Sequence, residues 1–326
     1  MILTAAALAV GFQSGLTLKL AGKGIGIKPL AYAAAPTGSK FAVSIEGNDV
    51  RIMDANGRKL YKTFKGHPQP AYAIAYSDDG TFLASGDESA RIFIWNIASG
   101  QKTRTIIGHI RGIGKLSFNH TRTLLASTGK DDVVNIWNVS NGKKAGQILG
   151  NGINLYGATF HPLRDLLLVG SLGGGGRTYL MTPAGAKLQQ FITYTSPYAQ
   201  LHGMLDTCWS PDGTKASTAG NDNFGILWDM KTFKRIGLLK GDTDWVVHVA
   251  FSPNGKYVAT SSTDRTVRVY DCKTLQKVAQ LDDESSIGAP IAFTADGKYL
   301  LSAGVDDNME IYSVNPPQGP VATKKK

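Results

Sequence analysis

The stretch VVHVAFSPNGKYVATSSTDRTVRVYD, residues 246 to 271, decides the fold. Val247, Val249 and Phe251 alternate with His248 and Ala250, the two-residue period of a strand. Ser252-Pro253-Asn254-Gly255 follows as turn chemistry, because proline presets one turn dihedral and glycine accepts a positive φ. Tyr257-Val258-Ala259-Thr260 reads as a second strand and Ser262-Thr263-Asp264-Arg265 as a second turn. Thr266-Val267-Arg268-Val269-Tyr270 is a third strand, and Gln276 to Leu281 a fourth. Four such strands make one twisted antiparallel sheet, which cannot cover both of its faces alone.

Outward from this unit, the pattern repeats. Met53, Trp95, Trp137, Tyr179, Trp228, Tyr270 and Tyr312 follow one another at 42, 42, 42, 49, 42 and 42 residues. First turns recur as Ser77-Asp78-Asp79-Gly80, Ser210-Pro211-Asp212-Gly213 and Thr294-Ala295-Asp296-Gly297. A beat of this length with one bulky residue at fixed phase predicts an all-β, seven-bladed β-propeller of four-stranded antiparallel blades. The last repeat is short of a fourth strand, because Pro316-Pro317 stops ladder pairing. Leu16-Thr17-Leu18-Lys19-Leu20 alternates ahead of the first repeat and is expected to join the last blade and close the ring. The expected organisation is an apolar segment over residues 1–12, one propeller over 13–316 and a basic tail over 317–326.

Composition narrows the function classes. No stretch of the 326 residues holds a capped helical period. Two cysteines, Cys208 and Cys272, make no disulfide framework and are expected to be unpaired thiols. The formal charge is +10, but Lys and Arg are scattered, and the only block is Lys324-Lys325-Lys326. That distribution predicts a solvated surface rather than a nucleic-acid site. Ile2 to Val10 is apolar and too short to span a bilayer. A short export signal and a frayed apolar terminus fit it equally, so the compartment stays open.

Nothing in the sequence sets up chemistry. His67, His109, His120, His161, His202 and His248 show no metal-ligand spacing, and no metal or cofactor is expected. The glycine runs Gly173-Gly174-Gly175-Gly176 and Gly22-Lys23-Gly24-Ile25-Gly26 precede no helix that could present its N-terminus to a phosphate. The rival to a non-catalytic reading is a propeller-type hydrolase or lactonase acting in the central funnel. Such an enzyme needs acids and histidines converging there, whereas the expected lumen positions Ile74, Gly114, Leu116, Val247 and Ala289 are apolar or small.

The repeats resemble the WD-repeat family. The marks are Trp228-Asp229 and Tyr270-Asp271, the weaker Trp95-Asn96 and Trp137-Asn138, and Gly66-His67 and Gly108-His109 placed upstream of two of them. The resemblance implies a buried His, Ser/Thr, Asp and Trp set within a blade. The third blade matches throughout with His109, Ser127, Asp131 and Trp137. The second keeps His67, Ser85 and Trp95 but has Ser89 at the acid's position, so its set is expected to lack the carboxylate.

The resemblance also implies a rim of loops that binds a protein or peptide partner. It places Trp245, Tyr72 and Tyr156 there, with Glu88, Lys130 and Asn221 one residue before each acid position. The seven extra residues of the 49-residue step fall between Phe191 and Leu205 and bring Tyr194 and Tyr198 to the same side. Exposed aromatics ringed by charged and amide side chains are the usual make-up of a hot spot. The expected molecule is a non-catalytic scaffold, a monomeric propeller that can sit within a larger assembly.

Overall fold

The computed structural model describes residues 16–24, 26–56, 58–150, 154–172, 177–181, 189–193, 203–282, 284 and 288–315. These residues form seven four-stranded antiparallel sheets. The first sheet is Pro29–Ala34, Lys40–Ile45, Val50–Asp54 and Lys59–Phe64. The second is Ala71–Tyr76, Phe82–Asp87, Arg91–Asn96 and Lys102–Ile107. The third is Ile113–Phe118, Leu124–Gly129, Val133–Asn138 and Lys144–Leu149. The fourth is Asn154–Phe160, Leu167–Leu172, Arg177–Met181 and Gln189–Thr193.

Met204–Trp209, Lys215–Gly220, Gly225–Asp229 and Lys234–Leu239 make the fifth sheet. Val246–Phe251, Tyr257–Ser262, Val267–Asp271 and Lys277–Leu281 make the sixth. The seventh takes Ala292–Phe293, Tyr299–Ala303 and Met309–Asn315 from the chain's end, and Thr17–Gly24 from its start. The first strand of each of the first six sheets lies beside that of the next, and Ala292–Phe293 lies beside both Val246–Phe251 and Pro29–Ala34. The architecture is an all-β propeller.

Each described turn between the second and third strands places one residue in left-handed conformation. In six sheets that residue is Asn48, Ala90, Asp132, Asn223, Arg265 or Asp307, with φ from 56 to 68°. The left-handed residue reverses the chain tightly enough to keep both strands in register.

The N-terminal strand outruns the expected Leu16–Leu20. It pairs from Thr17↔Asn315 to Gly24↔Met309, with a bulge between Leu20 and Gly22. On the extension Lys23 pairs with Glu310 of the neighbouring strand.

The core lies between sheets, as a sheet with two apolar faces requires. Ile92 and Ile94 of the second sheet pack with Ile113, Leu125 and Trp137 of the third. Leu16 joins Tyr257, Val269 and Leu281 of the sixth sheet and Phe293 and Leu300 of the seventh. Every inner strand from the first sheet to the sixth carries a register shift near its start, between Ile113 and Lys115 and between Val246 and His248, for example. An extra residue there inverts the two-residue alternation, which decides what faces the lumen.

The N-terminal apolar segment, the C-terminal lysines, Gly173 to Gly176, Tyr194 and Tyr198 lie outside the described residues.

Candidate interaction rim and central channel

In the third sheet, His109 Nδ1 lies 2.9 Å from Asp131 Oδ1 and Nε2 lies 2.8 Å from Ser127 Oγ. Trp137 Nε1 donates to the same hydroxyl at 2.7 Å. One proton arrangement satisfies all four groups. A neutral imidazole donates from Nδ1 to the carboxylate and accepts from the serine hydroxyl, whose oxygen accepts from the indole. Burial lowers the His109 pKa, against the opposing pull of Asp131, which keeps the ring neutral. Gly108 is required beside it, because a Cβ there would stand 2.1 Å from Trp137 Cη2.

The second sheet corrects the sequence reading. His67 Nδ1 does find a carboxylate, 2.7 Å away, but it belongs to Asp87 at the end of a strand rather than to the turn. His67 Nε2 and Trp95 Nε1 lie 2.6 and 2.8 Å from Ser85 Oγ. Ser89 supports the acid, donating to Asp87 Oδ1 at 2.7 Å. The signal was an Asp two places before the expected one.

In the sixth and seventh sheets an acid replaces the histidine and the buried polarity is kept. The sixth sheet has Asp242 there, paired with Arg268, which also bonds Asp264 at 2.9 Å. Burial pushes the Asp242 carboxyl up to about 6 even though Arg268 pulls it down. In the seventh sheet Glu284 takes the place, accepting from Ser302 and from the Tyr312 hydroxyl at 3.1 Å. That hydroxyl also bonds Glu310, the partner of Lys23. Burial pushes Glu284 up to about 7, reinforced by the nearby Glu310 charge.

These networks hold the turns of one rim. Asp131 Oδ2 accepts from the Ile110 backbone N–H at 2.9 Å, which leaves the Ile110 side chain 87% exposed. Beside it, Lys130 Nζ is 2.9 Å from both Glu88 carboxylate oxygens and 5.5 Å from the Tyr72 ring centre. Tyr72, Glu88 and Lys130 thus form one exposed group spanning the second and third sheets. Trp245 is also exposed, with its backbone held by Asp244 and Thr263. Asn221 is turned to structure, as its Oδ1 accepts from Gly203 N at 2.8 Å. Tyr156 is half-buried, and its carbonyl accepts from Thr128. Ile110 was missed in the sequence, although it directly follows a Gly-His pair.

The channel corrects a second reading. Ile74 and Leu116 are buried in the core between sheets instead of facing a lumen. Lys115, Asp206 and His248, each the residue just past a bulge, converge from the third, fifth and sixth sheets. Lys115 Nζ lies 2.6 Å from Asp206 Oδ1, and His248 Nδ1 3.5 Å from Asp206 Oδ2. Burial alone would raise the Asp206 pKa, but Lys115 and His248 outweigh it and hold the carboxyl down at about 2.

Comparison with known proteins agrees with this geometry. The model of the WD domain, G-beta repeat, matches residues 58–96, 100–138 and 233–271. This chain is a WD-repeat protein. A 66 kDa stress protein of Physarum polycephalum is 35% identical over 74 residues, 22% of this chain and 12% of that protein. An intraflagellar transport protein 122 homolog of Danio rerio is 38% identical over 63 residues, 19% of this chain and 5% of that protein. The matches span a small fraction of either relative. In this WD-repeat chain the matched segment 100–138 carries the His109 network in full. No described helix is long and apolar enough to cross a membrane.

Proposed function

We propose that this WD-repeat protein is a non-catalytic scaffold, a closed seven-bladed ring over residues 13–316 that binds a protein or peptide through the rim bearing Tyr72, Glu88, Lys130 and Trp245. The observation that carries the reading is the exposure of two large aromatic side chains, Tyr72 beside the Lys130 ammonium and Trp245 on a backbone pinned by hydrogen bonds. Such side chains lose little freedom on binding and bury large apolar areas. Ile110 extends the apolar part of the surface, and the Lys130–Glu88 pair supplies a polar border. Asn221, Tyr156, Tyr194 and Tyr198 belong to the same proposed surface. The pairing of Thr17–Gly24 with Met309–Asn315 supports the closed ring.

Among the described residues, the channel cluster bears on a hydrolase acting in the central funnel. Asp206 is ionised far below neutrality and already bonded, so it is no general acid or base near pH 7. The cluster fits binding better than turnover.

Quantitative affinity capture from the native cell with the wild-type chain and a Tyr72→Ala/Trp245→Ala variant tests the scaffold reading. Partners retained by the wild type and lost by a variant of unchanged melting temperature support it. Undiminished retention of every partner overturns the rim assignment.

A further inference from the structure

We propose that the central channel holds a receptor for a small oxyanion, a carboxylate or phosphate, built from Lys115 and His248 on the two oxygens of Asp206. This site is separate from the rim. Its framework is rigid. Asp206 is buried and accepts from Lys115 Nζ at 2.6 Å, Thr207 N at 2.8 Å and Val249 N at 3.3 Å. The two basic groups it holds are only partly covered, with side-chain exposures of 32% for Lys115 and 39% for His248.

An ammonium has three N–H donors, and Lys115 commits one to Asp206. His248 turns Nδ1 toward the carboxylate, so its Nε2 is the free end and a donor in the imidazolium form. With both bases charged, two positive charges surround one negative, leaving an excess of one for an incoming anion. At the same level past the bulge the neighbouring strands carry Ala31, Ala73 and Gly157, none of which adds a charge to the site. A carboxylate that served only to neutralise one lysine would not need a second base from another blade. Two bases fixed on one carboxylate form a preorganised pair, which recognises an anion at low entropic cost.

The test is titration of the full chain at pH 6.0 with inorganic phosphate, read by ³¹P linewidth, and separately with acetate, read by saturation transfer to its methyl group. Saturable binding of either probe is expected, and which one binds identifies the oxyanion class. Lys115→Met and His248→Gln should each weaken it about tenfold or more, Lys115→Arg should retain it, and Tyr72→Ala should leave it unchanged. Because the two knock-outs sit on different strands, one that fails to fold still leaves the other to decide. Absence of saturable binding by both probes, or wild-type binding in a folded knock-out variant, overturns the proposal. Rim variants that lose partners while keeping the anion separate this site from the scaffold reading.

Discussion

Asp87 and Asp131 bond the same nitrogen, Nδ1, of their respective histidines, yet they stand two places out of phase in the repeat. Where the second sheet has Asp87 and Ser89, the third has Gly129 and Asp131. The exchange is steric. A Cβ on Gly129 would lie 2.3 Å from His109 Nδ1 and 2.4 Å from Asp131 Oδ1, so a carboxylate from the turn needs an empty strand position.

Reciprocal exchange tests that relation. Asp87→Gly leaves the His67 Nδ1–H without an acceptor and should cost about 1–3 kcal/mol. Adding Ser89→Asp should return most of the loss, since the pair then copies the third sheet. Urea unfolding of both variants decides, and a double variant no more stable than the single one would refute the equivalence.

Ser127 serves two partners at once. Ser127→Ala strands both His109 Nε2 and Trp137 Nε1, and stability should fall by about 2–4 kcal/mol. Loss below 1 kcal/mol in chemical denaturation would mean that the network contributes little.

Acid should weaken the fold through His67 and His109. Burial sets their folded pKa values below the ordinary 6.5, so the unfolded chain takes up protons first. Their contribution is present above pH 6.5 and is lost as pH falls through and below that value. Replacing His109 by Gln should flatten this part of the melting-temperature profile, and an unchanged slope between pH 6.5 and 5 would contradict the assignment.

Glu284 acts with the opposite sign. Its folded value of about 7 lies above the ordinary 4.5, so the folded state binds the extra proton. Stability from this group is full below pH 4.5 and lost as pH rises toward 7. Glu284→Gln keeps a hydrogen-bonding amide there, and the variant should gain on the wild type between pH 4.5 and 7, then hold a constant lead. Parallel melting curves across that range would sink the idea.

Ala90 holds a left-handed turn position, φ 65°, that costs an L-residue with a Cβ. Ala90→Gly should stabilise by about 0.5–1 kcal/mol. Thermal unfolding checks it, with a lower midpoint as the adverse result.

Much of this molecule is legible in one dimension. The 42-residue beat, the turn residues and the Gly-His pairs state the blade and its third-sheet network, because strand alternation, tight turns and the buried tetrad are local in sequence. The strand Leu16–Leu20 was placed by its alternation, while its continuation to Gly24 pairs with Met309 to Ile311, nearly the whole chain away. The lumen was not legible. The bulge before Lys115, Asp206 and His248 inverts the alternation by one residue, and periodicity counted along the chain does not see it. The repeat does put Lys115, Asp206 and His248 at one phase, since Lys115, Gly157, Asp206 and His248 follow at 42, 49 and 42 residues, but the spacing does not say that this phase faces the channel. The sequence by itself determined the propeller and the polar core of its third blade. Only the tertiary structure decided which acid meets His67 and which charges share the channel, because both depend on side chains converging across strands that the chain separates.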